Sequence, residues 1–401
     1  MKTLIELFDP CQIKNVIAGL TFKPQKIVFV GFKQNMKQAQ LNSIEKFFKM
    51  KHIDVALEYE YVSRYNYDSI VERLNEIIDR NEDCCFDLTG GRELVLVAMG
   101  EISAKRDIPM FQFDLKGGGF IHVNNCEDIQ VPKTESISIE ECVTLNGGAI
   151  VRESVDAPRW DMNEDFCRDI YLMWNICRND TGAWNSNSAS LGALEKNGVI
   201  DETLRVSGKI KETVNQHIDP SIMKALEDAG VVSGVSFKGD ILSFRYKNEQ
   251  VRQCLIKAGN ILELLIYMLA REISAEERGF YNDIDVGVIV DWDGVIHEDI
   301  GLARDTRNEI DVFLMHGQTP VFISCKNGVV QKEALYELEA VADKFGGEYA
   351  KKVLVSTYIN KNQKARSFVL QRARDMNIEI IEGIDKMSRE ELTKALRIRA
   401  R

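Results

Sequence analysis

Residues 84–106, CCFDLTGGRELVLVAMGEISAKR, decide how the chain begins to fold. CCFDL reads as a buried strand, two glycines break it, and RELVLVAMGEISAKR (92–106) has the length and composition of a helix. Working outward, KIVFVGF (26–32), DVALEYEYV (54–62) and PMFQFDL (109–115) read as further strands. NMKQAQLNSIEKFFKM (35–50) and YDSIVERLNEIIDR (67–80) place apolar residues at helical spacing. Strands alternating with helices of this length predict an α/β fold, with a Rossmann-like, doubly wound parallel sheet across residues 1–150.

Residues 151–259 read differently. DMNEDFCRDIYLMWNICRN (161–179) is helical, and SNSASLGALEKNG (186–198) is polar and loop-like. DPSIMKALEDAGVV (219–232) opens on a Pro and closes on a Gly, the order of a helix. VSFKGDILSFRYK (235–247) alternates on both sides of Lys238-Gly239-Asp240, a hairpin signal. Helices followed by a hairpin predict a winged-helix-like connector. Residues 260–401 then run from a long apolar helix, NILELLIYMLAREI (260–273), into strands at 285–292, 308–316 and 319–327. A helix at 332–345 and a strand at 351–357 follow, which predicts a second α/β domain with a mixed sheet.

The composition narrows the function classes. The chain has 401 residues, 51 basic and 62 acidic, for a net charge of −11. Residues 260–350 hold 7 basic and 18 acidic groups, whereas 351–401 hold 13 and 6. An acidic block beside a basic tail suits a cation centre next to a polyanion track, although a solvated acidic face and a terminal basic helix, ELTKALRIRAR (391–401), give the same numbers. No apolar run reaches the roughly 18 residues of a membrane span, so no membrane partner is expected. Nine cysteines without any CxxC argue against a disulfide framework or a zinc site and fit a reducing cytoplasm.

Two places could carry chemistry. The first is Thr89-Gly90-Gly91-Arg92, at a strand end opening a helix. Gly90 and Gly91 let a ligand approach the backbone, the helix start attracts anions, Thr89 offers a hydroxyl, and Arg92 a forked cation for phosphate. Gly31, Phe32, Lys33 and Gln34 end another strand on the same rim, where open α/β sheets bind ligands. Neither stretch is a Walker loop or a GxGxxG fingerprint. The second place is NEIDV (308–312) followed by FISCK (322–326). Alternation puts Glu309 and Asp311 on one face with Ile310 and Val312 toward the core, and points Ser324 and Lys326 together. Glu263, on the preceding helix, could add a third carboxylate. Oxygen ligands suit Mg2+ or Mn2+, and a lysine beside them could orient water or steady an anionic transition state.

A rival lies in VIVDWDGV (288–295), which resembles the nucleophile motif of haloacid-dehalogenase-like phosphatases. That resemblance implies Asp291 as nucleophile, Asp293 as acid/base and Ser324 as a second-motif hydroxyl. The paired-acid motif that such enzymes carry later has only GIDKMSREE as a poor counterpart. An Arg-x4–6-His ribonuclease motif is excluded, because eight residues separate Arg307 from His316.

Taken in order, these features resemble a known class. The strand–TGGR–helix unit is similar to the CRISPR-associated Rossmann-fold (CARF) sensors. NEIDV…FISCK, preceded by a GxxxE helix (Gly259–Glu263), resembles the PD-(D/E)xK restriction-endonuclease-like core. Together they resemble the effector nucleases of type III CRISPR defence. The resemblance implies three units: a sensor at 1–150, a connector at 151–259 and a nuclease at 260–401. Thr89 to Arg92 and Gly31 to Gln34 would cradle a cyclic oligoadenylate, in particular cyclic tetra-adenylate, across a homodimer axis. Asp311, Lys326 and Glu263 match the nuclease motif, with Asp311, Glu263 and Glu309 as metal ligands. Ser324 stands where the family has glutamate, giving SxK for ExK and a larger role to Glu309. The expected activity is metal-dependent cleavage of single-stranded DNA or RNA. A nucleotide-controlled DNA-binding regulator with an inactive nuclease core is the alternative.

Overall fold

The computed structural model describes residues 1–115, 117–127, 129–152, 160–196, 200–210, 217–295 and 307–398. The stretch HEDIGLARD (297–305) and the last residues of ELTKALRIRAR lie outside them.

The first sheet is built from β1 (Thr3–Leu7), β2 (Lys26–Gly31), β3 (Ala56–Tyr61), β4 (Cys84–Asp87), β5 (Met110–Asp114) and β6 (Gly119–Asn124). They lie in the order β3-β2-β1-β4-β5-β6, parallel except for β6. The doubly wound reading holds, but its central strand is β1, TLIEL, which the sequence reading passed over. Five residues with one acid, Glu6, give too short a pattern to mark a strand. Its burial on both faces is conferred by its neighbours: all five residues are buried. The helices α1 (Ile17–Phe22), α2 (Gln38–Met50), α3 (Tyr67–Asp79) and α4 (Glu93–Arg106) flank this sheet, followed by α5 (Ile139–Leu145) and the short β7 (Ala149–Ile150).

Next come α6 (Glu164–Cys177), α7 (Thr181–Lys196), β8 (Arg205–Lys209), α8 (Pro220–Asp228), β9 (Val232–Lys238), β10 (Ile241–Tyr246) and α9 (Glu249–Ile256). Pro220 opens α8 at its first turn, Asp219 caps it, and Gly230 leaves it at φ 73°. The Lys238-Gly239-Asp240 turn joins β9 and β10 antiparallel, and β8 completes a three-stranded wing. The expected loop at 186–198 is corrected: residues through Lys196 belong to α7. Trp184, Leu191 and Leu194 are buried against neighbouring helices and strands. That burial outweighs the weak helix propensity of Ser and Asn.

The second large sheet comprises β11 (Asp283–Asp291), β12 (Arg307–His316), β13 (Thr319–Lys326), β14 (Lys351–Ser356) and β15 (Ile378–Glu382), with β7 at its edge. Its order is β15-β14-β13-β12-β11-β7; β13, β14 and β15 are parallel and the remaining pairs antiparallel. α10 (Asn260–Glu276), α11 (Lys332–Gly346), α12 (Gln363–Asp375) and α13 (Arg389–Ala395) complete the unit. α10 buries apolar residues around most of its circumference, the mark of a central core helix. Among the described residues no single helix is long and apolar enough to cross a membrane.

Two apolar clusters stitch these parts together. One joins α6, α7 and the wing to α10 and one face of the second sheet through Trp174, Leu265, Leu314 and Val355. The other joins the α1–α2 side of the first sheet to α11 through Phe29, Phe47, Leu145 and Phe345. Hydrogen bonds cross the same junction: Ile139 N–H donates to Asp283 Oδ2 at 2.8 Å, and Asn282 Nδ2 to the Ile137 carbonyl at 2.8 Å.

Candidate functional site

The candidate nuclease cleft forms where β12 and β13 part from each other beside α11. It holds about 310 Å3 and is lined by Arg307, Glu309, Asp311, Ser324, Lys326 and Glu337, among others. Asp311 Oδ2 is its hub: it accepts from Ser324 Oγ at 3.2 Å, Cys325 N–H at 2.6 Å and Lys326 Nζ at 3.3 Å. Ser324 and Lys326 point together, as alternation requires, while Cys325 is buried in the core.

The other alternation expectation is corrected. Ile310 and Val312 do not share a face: Ile310 packs with Phe313 and Phe345, Val312 with Leu314 and Val321. On the paired strand the same change of side separates Val286 from Val288. Gly287 lies between them at φ 62°, where only glycine sits without strain. The twisted register aims Glu309 back across β11, with Oε1 3.6 Å from where a Cβ on Gly287 would stand.

Glu263 reaches the same centre from α10. Burial, then the charges of Asp311 and Glu309, push its carboxyl up to about 8, while Lys326 and Lys257 oppose the shift. Burial works against the charge on Lys326, but Asp311 keeps it protonated above its ordinary range. Glu263, Glu309 and Asp311 are hard oxygen donors whose mutual repulsion a divalent cation would relieve, so their chemistry fits Mg2+ or Mn2+. Their placement is another matter. Among the described residues no group of three or more acidic, His or Cys side chains converges on one point. Glu263, Glu309 and Asp311 do not form such a group as placed here, and Lys326 Nζ lies 3.3 Å from Asp311 Oδ2.

The rival phosphatase centre is not formed. Asp291 is buried, and its Oδ1 accepts from Asp293 N–H and Gly294 N–H, each at 3.0 Å. It closes a turn at the end of β11, a strand antiparallel to its neighbour β12, and it does not line the cleft containing Ser324.

On the rim of the first sheet, β1 and β4 part to opposite sides, the topological switch point of a doubly wound sheet. Gly90 and Gly91 pack so closely on the end of β1 that a Cβ would meet Leu7 within 2.8 Å at either position. Arg92 is the exposed N-cap residue of α4, and no ion pair holds it among the described residues. Thr89 is buried, and its hydroxyl is already engaged within the protein. Its Oγ1 donates to Asp87 Oδ1 at 2.5 Å and accepts from Phe113 N–H at 2.9 Å. Burial pushes Asp87 up to about 7, against the lowering pull of the Thr89 hydrogen bonds. Gly31 ends β2 against Phe8 and Met36, Phe32 is half-buried, and Lys33 and Gln34 are exposed in the following turn. Asp9 was missed: its Oδ2 accepts from Gly91 N–H at 3.3 Å. The only signal was FDPC, an Asp–Pro loop start after an unrecognised strand.

No curated protein matches the chain by sequence. Its fold is shared with protein VC1899 from Vibrio cholerae, at TM-score 0.76 and 18% identity over 98% of this chain and 97% of that one. It is shared as well with Can2 from Sulfobacillus thermosulfidooxidans, solved in complex with cyclic tetra-adenylate. There the TM-score is 0.69 and the identity 15%, over 99% and 98% of the two chains. By sequence, residues 248–399, which carry Glu263, Asp311 and Lys326, are similar to the Card1-like endonuclease domain family.

Proposed function

We propose that this chain is a nuclease switched on by a cyclic oligoadenylate in type III CRISPR defence. One observation carries the reading. Asp311, Ser324 and Lys326 line one cleft, and Glu263 lies near enough for the Asp311 charge to shift its carboxyl, all inside the segment similar to Card1-like endonuclease domains. The sensor assignment of residues 1–150 rests on the Gly90–Gly91–Arg92 rim and on a fold shared with a protein solved with cyclic tetra-adenylate. Residues 151–259 act as connector and 260–401 as nuclease.

Asp311 and Glu263, with Glu309 alongside, would hold Mg2+ or Mn2+; the ion would supply an activated water and charge neutralisation at the phosphodiester. Lys326 places a positive charge where the scissile phosphate would gain negative charge. Ser324 orients the Asp311 carboxylate through its hydroxyl. Lys326 Nζ lies 3.3 Å from Asp311 Oδ2, so the amine and the ion would share this carboxylate. A cyclic tetra-adenylate has two-fold symmetry and would lie across a homodimer axis, seen by two identical rims. Its activating effect equals its differential affinity for the active state.

The test is cleavage of labelled single-stranded DNA and RNA with each cyclic oligoadenylate, in Mn2+ and in EDTA. Cleavage only with ring and metal together is expected. Activity independent of the ring removes the switch. Binding of nucleic acid without cleavage under every condition establishes the regulator with an inactive core.

A further inference from the structure

The rim of the first sheet is joined to the nuclease unit by a chain of charges. Asp9 follows β1 and leans on Gly90, where an added Cβ would lie 2.7 Å from the Asp9 Cβ. Its Oδ2 accepts from Gly91 N–H at 3.3 Å, just ahead of α4. The same oxygen faces Lys14 Nζ at 3.7 Å, and Lys14 Nζ pairs with Glu348 Oε1 at 2.7 Å while lying 5.5 Å from the Tyr349 ring centre. The Asp9 and Lys14 side chains are each only 15% exposed, so solvent screens this pairing weakly. Glu348 lies in the short turn Gly347–Tyr349 that ends α11, and α11 walls the nuclease cleft through Glu337, Leu338 and Val341.

A carboxylate resting on a glycine N–H at the start of a helix occupies the place that a ligand's phosphate oxygen would take. We propose that Asp9 is an internal stand-in for the activator's phosphate, and that the Asp9–Lys14–Glu348 chain couples its displacement to α11. When a phosphate takes the Gly91 N–H, Asp9 turns fully to Lys14 and loosens Lys14 from Glu348, releasing the C-terminal end of α11. The inference rests on the sensor reading and goes beyond it by naming the groups that link the two sites. Linkage makes the effect reciprocal: weakening the Glu348 end must change affinity at the rim.

A double-mutant cycle read by calorimetry with cyclic tetra-adenylate tests it, without reference to cleavage. Asp9→Asn keeps the acceptor that now receives Cys11 N–H at 2.8 Å, and Glu348→Gln is a conservative change at a half-exposed position. Glu348→Gln alone should tighten binding about 5-fold, because Lys14 is freed to draw Asp9 off the turn. In the Asp9→Asn background, which tightens binding by itself, the same change should have no effect. Equal effects of Glu348→Gln in both backgrounds overturn the coupling and leave the sensor reading intact. A parent protein that binds no cyclic oligoadenylate overturns both.

Discussion

Asp311 and Lys326 face each other on adjacent strands, with Lys326 Nζ 3.3 Å from the Asp311 oxygen that also takes the Cys325 N–H. The two form an ion pair and, in the proposed reaction, two halves of one machine. Asp311→Asn retains an acceptor for Cys325 N–H but loses the charge, and Lys326→Ala removes the cation. Each should lower cleavage by more than about 10²-fold, as loss of a charge-stabilising group does. Calorimetry should find activator affinity unchanged. Asp291→Asn should leave cleavage within a few-fold, since Asp291 sits at the turn after β11 and does not line the cleft.

Glu263 carries a proton at neutral pH in the metal-free protein, because its carboxyl is raised from its ordinary value to about 8. Between about pH 4.5 and 8 the folded state binds more protons than the unfolded chain, so this group lowers stability as pH rises through that window. Glu263→Gln should flatten the fall of Tm between pH 5 and 8.5 in EDTA. In the parent protein, Mn2+ binding should release protons and tighten with rising pH up to about 8. Calorimetry in buffers of different ionisation enthalpy counts those protons; none released removes Glu263 from the metal set.

Arg92→Ala should weaken activator binding by roughly 10- to 150-fold per site, the equivalent of the roughly 1.5–3 kcal/mol of a charge-assisted contact. Its Tm should not move, because Arg92 is exposed.

Thr89 behaves in the opposite way. Thr89→Val leaves the Phe113 N–H and the buried Asp87 carboxyl without their shared partner. A stability loss of about 1–3 kcal/mol is expected, measured by urea unfolding. Thr89→Ser should restore most of it; a stable Thr89→Val with specifically lost activator affinity would return Thr89 to the ligand.

Ser324→Glu tests the departure from ExK. A third carboxylate against Asp311 should lower Tm in EDTA and raise the Tm gain on adding Mn2+ above that of the parent protein. An unchanged metal response would mean that Ser324 faces away from the ligating position in the active form.

Much of the site was legible before any folding was considered. Gly90, Gly91 and Arg92 at a strand–helix junction, and Asp311 with Lys326 on neighbouring strands, are stated by local pattern. The residue type of Thr89 allows it to donate to a ligand; only the fold shows that its hydroxyl already donates to Asp87 and accepts from Phe113 of β5. Asp9 was invisible because the strand before it is short and carries an acid.

Local sequence determined the alternation of strands and helices, the Pro220 and Gly230 ends of α8, and the Lys238–Asp240 turn. Each depends on side-chain periodicity or on backbone conformations within a few residues. Tertiary structure decided what is set by distant partners. It made α7 a helix by burying Trp184 and Leu191, and placed TLIEL at the centre of a sheet. It also turned β11 and β12 over at Gly287, brought Glu263 to Asp311, and tied Asp9 through Lys14 to Glu348. Those contacts join segments far apart along the chain, and burial and charge pairing act only between groups that the fold has already brought together.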